Sequence, residues 1–403
     1  MTLRHTLLIL LAAACALAVP LQLRMVEHMD ADVYSDLYSP WVGVRALLHH
    51  VDPYSPTVTA QIQTGIYGHA LSPADQHDPE AFVYPPWVAL PLAPFTLLPW
   101  PTVEFLFVIV TPCVILATAW VWMRLCWSGL DRTAFIAVLV IVLASWPAVW
   151  GCYQRQPSVY VIAAIAFSTL LFRRGSDIAA GILLALATVK PQLVLLVAAW
   201  FLFIALRHRR WRFIAAFSGS LAALVAASAL LFPHSIFHWI HAAIAYTHTA
   251  GKISLFAWLL GPRFGLLAGL VLLAALGWRL GRFRLAPPPH DPLFVQAVAL
   301  ILAATACLIP TNAWLVFDNL LLLPGFLLLA RLASPSPLTT FLRALAAIAL
   351  LLALLVTPVC AAIGARAGFR VDLVMPPFLV NYLLPLPCMA ALLFAPFHPG
   401  STP

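Results

Sequence analysis

The sequence predicts an all-α polytopic integral membrane protein, and three observations carry that prediction. Of the 403 residues, 63% are hydrophobic and only 9% are charged, against roughly 25% charged in an ordinary soluble domain. Runs of about 20 apolar residues, the length that crosses a hydrocarbon core of roughly 30 Å, recur from end to end. The alternating pattern of a transmembrane β-barrel is missing, and within continuous apolar runs only helices pair every backbone group.

The apolar runs place spans at 5–25, 102–124, 133–150, 157–172, 177–189, 190–206, 212–232, 255–278, 293–309, 313–331, 340–363 and 376–396. The first is read as an uncleaved helix, although its basic start and the small residues Ala16 and Ala18 also fit a signal peptide. A further stretch, 84–101, holds Pro85, Pro86, Pro91, Pro94, Pro99 and Pro101 and reads as a re-entrant or interfacial segment. It follows a first outer loop, 26–83, in which 38–50 has the spacing of an amphipathic surface helix. No soluble stretch is long enough to stand alone, so residues 1–403 read as a single membrane domain.

The formal charge of +8 is a topology signal here. No basic run is interleaved with aromatics in a soluble domain, so nucleic acid is excluded as a partner. With the N-terminus in the cytoplasm, the arginines at 4, 124, 132, 173, 174, 207, 209, 210, 212, 279, 282, 284, 331 and 343 all fall inside. Twelve spans with both termini cytoplasmic satisfy this count. The seven cysteines are scattered without metal-ligand spacing and read as small core residues.

The same count resolves residues 177–206. "RRGSD" before them and "RHRRWR" after them both belong inside, so a single long helix would carry one cluster across. A helical hairpin turning at "VKPQ" avoids this, because Pro191 interrupts a helix and restrains the residue before it. Lys190, one of two lysines in the chain, then lies at the tip of two short arms.

Chemistry-bearing residues gather in the outer loops and at span ends. Asp30, Asp32 and Asp36 open the first loop, where a carboxylate can take the proton of an attacking hydroxyl; a solvated loop face is the plainer alternative. Tyr84, Trp87 and Trp100 suit an interfacial aromatic belt or the frame of a lipid-entry groove. Gln154, Arg155, Gln156 and Ser158 sit at an outer turn, and Asp318 and Asn319 lie inside a span. An ionisable group at mid-membrane costs about 2.5–3.5 kcal/mol and usually faces the protein interior. For Lys190 and Asp318 that leaves both a structural pairing and a functional site open.

Five stretches in register, "SDLYSPWVGVRALLHHVDPYSP", "FVYPPWVALPLAPFTLLP", "YQRQPSVYVIAAIAF", "AAGILLALATVKPQLVLL" and "NAWLVFDNLLLLP", together resemble glycosyltransferase family 87, a bacterial branch of the GT-C membrane glycosyltransferases. The resemblance implies a GT-C-like bundle of about 12 transmembrane helices with an ordered first outer loop. It further implies transfer of a hexosyl, by analogy mannosyl, unit from a polyprenyl-phosphate donor to a lipid or glycan acceptor on the outer side of a bacterial inner membrane.

By the same resemblance Asp36 is the base. Tyr84 belongs to a "YPP" element, Gln156 to a "GQ" pair, and Lys190 and Gln192 to "KPQ". Lys190, Arg155, Gln156, Gln192, Tyr84 and Asp318 are then expected around the donor's phosphate and sugar. A divalent metal is admitted by the acids near Asp36 but not demanded by any spacing. Arg155 stands where the family has glycine, and His50–Val51 and the 248–261 loop also depart from its pattern. The competing classes are a lipid or sugar transporter or flippase, and a non-catalytic envelope-assembly protein. A single broken helix pair and an acid-rich loop on one side favour an enzyme over a transporter.

Overall fold

The computed structural model describes the chain apart from 1–2, 30–34, 73–74, 76–77, 128, 250–253, 283–286, 310–315, 332–335, 369–370 and 396–403. Among the described residues the elements are helices, with no strand. Among the described residues six helices are long and apolar enough to cross a membrane, seven if one bent pair counts as a span, and four shorter apolar helices accompany them. The chain is thus an all-α polytopic membrane protein, without the count of twelve spans being reached by these measures.

The first long helix, α1 (Leu3–Met29), precedes the outer loop, where α2 (Tyr38–Leu48) and α3 (Pro56–Tyr67) form. Ser55 caps α3 by accepting from Val58 N–H, and Gly68 ends it at φ 79°, a left-handed conformation that glycine adopts without strain. The proline-rich stretch becomes a 3₁₀ turn, Pro86–Val88, running into α4 (Ala89–Thr96). Leu37, Val44, Leu47, Val58, Ile62 and Phe82 close a core of their own with Val88 and Val103. Main-chain carbonyls tie the loop down: Ser39 donates to Ala81 O, Gln63 to Pro79 O and Tyr54 to Tyr84 O.

Helix α5 (Trp100–Cys126) is long and apolar enough to span the membrane. The expected span 133–150 is broken: α6 (Arg132–Ala144) and α7 (Trp146–Tyr153) meet at an angle of 54°. Ser145 is extended there and Pro147 opens the second helix, as suits a residue pre-set for a first turn. Then come α8 (Pro157–Arg173), α9 (Asp177–Leu186) with a 3₁₀ extension to Val189, α10 (Pro191–Arg207) and α11 (Trp211–Leu231).

The hairpin forms as the arginine distribution requires. Arg210, just before α11, pairs with Asp177 at the start of α9 and donates to Phe172 O, with its guanidinium 4.0 Å from the Phe172 ring centroid. The two arginine-rich ends therefore lie together, and α10 returns from the Lys190 turn. A Cβ at Gly181 would lie 2.8 Å from Phe213 O and Phe217 N, so only glycine lets α9 and α11 approach this closely. Where lipid and protein are equally apolar, such close backbone packing supplies much of the helix association.

Two helices were not anticipated as separate elements: α12 (Ser235–Thr249) and α13 (Leu255–Leu260). Gly261 (φ 79°) separates α13 from α14 (Pro262–Arg282), so the expected span 255–278 is split. After α15 (Pro292–Leu308), the expected helix at 313–331 is corrected to a 3₁₀ stretch, Val316–Leu322, followed by α16 (Leu323–Arg331). The chain continues through α17 (Pro337–Ala367), α18 (Val371–Leu383) and α19 (Pro385–Phe394). The centre of the bundle is α15, buried along nearly its whole length. α14 and α17, by contrast, keep Leu266, Leu270, Ile348 and Val359 exposed, a surface suited to lipid.

Candidate functional site

The site forms where the 153–156 turn, the Lys190 turn and the start of the outer loop meet. Lys190 leaves the helical conformation (φ −126°, ψ 80°) and Pro191 starts α10 directly after it. The ammonium is therefore presented from a helix break and does not project from a helix flank. Lys190 Nζ donates to Gln156 Oε1 at 2.7 Å and to Ser158 Oγ at 2.8 Å. It also lies 5.6 Å from the ring centroids of Tyr84 and Phe317, within the range at which a cation is drawn to an aromatic face. Ser158 and Gln156 are almost fully buried at the N-terminus of α8, whose dipole adds positive potential to that of the lysine.

Asp36 joins this group through Gln156, whose Nε2 donates to Asp36 Oδ2. The backbone is fixed as well: Asp36 N–H donates to Gln154 O at 3.0 Å, and Ser35 Oγ to the same carbonyl at 3.0 Å. A half-buried carboxylate and a half-buried ammonium thus share one buried amide between them.

Tyr84 faces the same group from the loop. Burial, then the negative charges of Asp36, Glu80 and Asp318, push its phenol well above the usual range. It stays a neutral hydrogen-bonding group at any working pH. Tyr246 of α12 approaches from above the loop, donating to Asp78 Oδ1 at 2.7 Å. Its phenol is raised by burial and then by Asp78 and Glu80. Helix α12 is fastened over the loop by two further contacts. His238 and Asp52 pair at 2.7 Å, and Trp239 Nε1 donates to Val83 O at 3.2 Å.

The remaining expected site residues divide. Asp318 is half-buried in the 3₁₀ stretch beside Phe317, near enough for its charge to act on Tyr84. Gln192 is exposed on the first turn of α10, outside the hydrogen-bonded group. Arg155 points to α5, where Nη2 donates to Glu104 Oε1 at 2.6 Å, while Nη1 donates to Tyr153 O. Asp30 and Asp32 lie outside the described residues. Among the described residues no three His, Cys, Asp or Glu side chains gather as a metal site.

Sequence reasoning overlooked Glu104, Phe317 and Tyr246. Glu104 had a signal, being an acid at the start of an otherwise apolar span; the other two had none. Away from the polar group, an apolar cavity of about 760 Å³ opens between α1, α6, α16 and α17, with Leu11, Val138, Leu323 and Leu354 in its walls and Asn319 and Asn381 also lining it.

The profile of glycosyltransferase family 87 matches residues 82–358, more than half the chain and the stretch that carries Tyr84, Gln156, Lys190 and Asp318. The chain belongs to glycosyltransferase family 87. Searches of curated proteins and of solved structures find no match. Membership makes this a membrane glycosyltransferase with a sugar donor and an acceptor. In a family 87 protein, a carboxylate and an ammonium that share one buried amide in an apolar bundle are candidates for group transfer.

Proposed function

We propose that the protein moves a hexosyl unit, mannosyl by family analogy, from a polyprenyl-phosphate donor to an envelope lipid or glycan hydroxyl. The single observation that carries this reading is the Asp36–Gln156–Lys190 chain of hydrogen bonds at the N-terminus of α8. Asp36 takes the proton of the acceptor hydroxyl while its oxygen attacks the anomeric carbon. The bond from that carbon to the phosphate oxygen breaks, and the leaving phosphate gains negative charge. Lys190 and the α8 N-terminus supply fixed positive potential where that charge develops. One inverting displacement needs no carboxylate nucleophile, unlike the retaining glycosidases.

Around this chemistry, Tyr84, Asp318 and Gln192 frame the donor sugar and phosphate. The hydrocarbon of the lipid substrate runs along the apolar rim formed by Tyr84–Pro101. The protein is one transmembrane domain in a bacterial inner membrane, with both termini and the arginine-rich helix ends in the cytoplasm and the Asp36 opening outside. A divalent metal is not needed for any of these steps.

The test is release of radiolabelled mannose from a polyprenyl-phosphate donor in membranes, with counterflow of the same lipid in vesicles run in parallel. Transfer that needs acceptor and is lost in Asp36→Asn supports the reading. Counterflow without bond cleavage would make the protein a carrier and remove the proposal.

A further inference from the structure

The side chain of Gln156 is the link between the two charged groups, and its orientation is dictated by them. An ammonium carries only donors and an ionised carboxylate only acceptors. The amide oxygen therefore faces Lys190 Nζ and the amide N–H faces Asp36 Oδ2, as the hydrogen bonds have it. With Gln156 only 1% exposed, little room exists for another rotamer.

What aims Gln156 is the residue before it. Arg155 has φ 50°, the left-handed region that glycine enters freely and other residues enter at a cost. Here the arginine supplies a restraint of its own. Its guanidinium is gripped by Glu104 of α5 at 2.6 Å and also reaches Tyr153 O. Within the turn, Gln156 N–H donates to Gly151 O at 2.9 Å and Arg155 N–H to Cys152 O at 3.2 Å. The same turn holds Asp36 by its main chain through Gln154 O. One four-residue turn thus fixes the backbone of the carboxylate, its side chain and the partner of the ammonium.

We infer that the 153–156 turn is a positioning device in which Gln156 sets the Asp36 carboxylate against Lys190, and that the Arg155–Glu104 pair holds the turn in its left-handed form. Gln156 is then a positioning residue, and Arg155 is a strut with no part in binding phosphate. The inference rests on Asp36 and Lys190 being the base and the phosphate-binding cation.

Two substitutions at 155 separate the strut from a phosphate ligand, because both remove the guanidinium and only one tolerates the left-handed turn. Arg155→Ala is expected to lower kcat roughly fivefold or more, while Arg155→Gly stays within about twofold of the parent chain. Equal losses in both variants, read as a raised donor KM, would overturn the strut. Gln156→Leu is expected to lower kcat by about 30-fold to 100-fold with donor KM changed far less, as a misplaced base requires; an unchanged kcat removes Gln156 from the mechanism.

A second measurement needs no transfer at all. In detergent, the melting midpoints of Gln156→Leu, Asp36→Asn and the double variant are expected to be non-additive, as for any pair in direct contact. Arg155→Ala is expected to melt below Arg155→Gly. Additive midpoints, or the reverse order at 155, sink the inference even where the donor is a different sugar lipid. Wild-type membranes that transfer nothing, together with non-additive midpoints, would instead fault the proposed reaction and leave the positioning turn supported.

Discussion

Two cations lie at the turn between α7 and α8, Arg155 within it and Lys190 against it, and they meet opposite fates. Lys190 reaches Gln156 and Ser158 at the mouth of α8; Arg155, next in sequence to Gln156, turns away to Glu104. On charge and position alone both were expected at a donor phosphate. The difference teaches that a cation in a membrane protein is defined by the partner waiting for it. A carboxylate within ion-pair distance makes a structural element of the arginine. The lysine instead donates to the neutral oxygens of Gln156 and Ser158, and in the proposed reaction its charge faces the leaving phosphate.

The sharpest break in this comparison is at the carboxylate coupled to the lysine. Asp36→Asn keeps the shape of the site and removes the proposed base, so transfer is expected to fall by about 100-fold or more, with unchanged protein in the membrane. Transfer at the parent rate would take Asp36 out of the chemistry. Lys190→Met is the next largest: removing fixed charge from a developing anion is expected to cost on the order of 100-fold in kcat/KM. If donor dependence did not change, Lys190 would be as structural as Arg155.

A third cation tests the structural side. Arg210 pairs with Asp177, donates to Phe172 O and stacks on the Phe172 ring. Arg210→Met is expected to destabilise the detergent-solubilised protein by roughly 1–3 kcal/mol, seen as a lower melting midpoint, with catalytic constants of the folded fraction unchanged. An equal midpoint would show that the α9–α11 contact holds the hairpin without this arginine.

The smallest expected effect is at Asp131, which caps α6. Hydrogen bonds from Ala134 N–H and then from His5 hold its carboxyl below the usual carboxylate range. The ionised form is therefore the one favoured in the folded chain. Its contribution is complete above pH about 4 and is lost as the pH falls through the folded value. Asp131→Asn, itself a good cap, is expected to melt within about 2 °C of the parent at neutral pH, with the gap closing in acid. A gap that widened on acidification would reverse the assigned sign.

The hairpin at 177–206 shows how far sequence reasoning reaches. Arginine clusters on both sides and Pro191 between them were enough to place the turn, because charge at the membrane boundary and a missing backbone donor are both local properties. At 133–150 and 313–331 the same reasoning drew one straight helix each. The chain instead bends 54° after Ala144 and tightens into a 3₁₀ stretch at Val316–Leu322. Hydropathy is blind to such breaks, since a bent helix and a straight one are equally apolar. At the site, Lys190 and Asp318 were legible as ionisable groups inside apolar runs, Asp36 as one of the acids of the outer loop, Tyr84 as an interfacial aromatic and Gln156 as a polar residue at an outer turn. Phe317 and Tyr246 were not, being ordinary residues for a span and a surface helix.

The sequence by itself determined the class of protein, an α-helical membrane chain, because composition and apolar run length leave no soluble or β-barrel alternative, and its quoted stretches carried the resemblance to family 87. It also determined which polar residues stand out from those runs. Only the tertiary structure decided which of them meet. Asp36 and Gln156 are 120 positions apart, and Lys190 a further 34 along the chain. Contacts of that separation depend on how helices pack and where they break, and no local pattern in the chain records it.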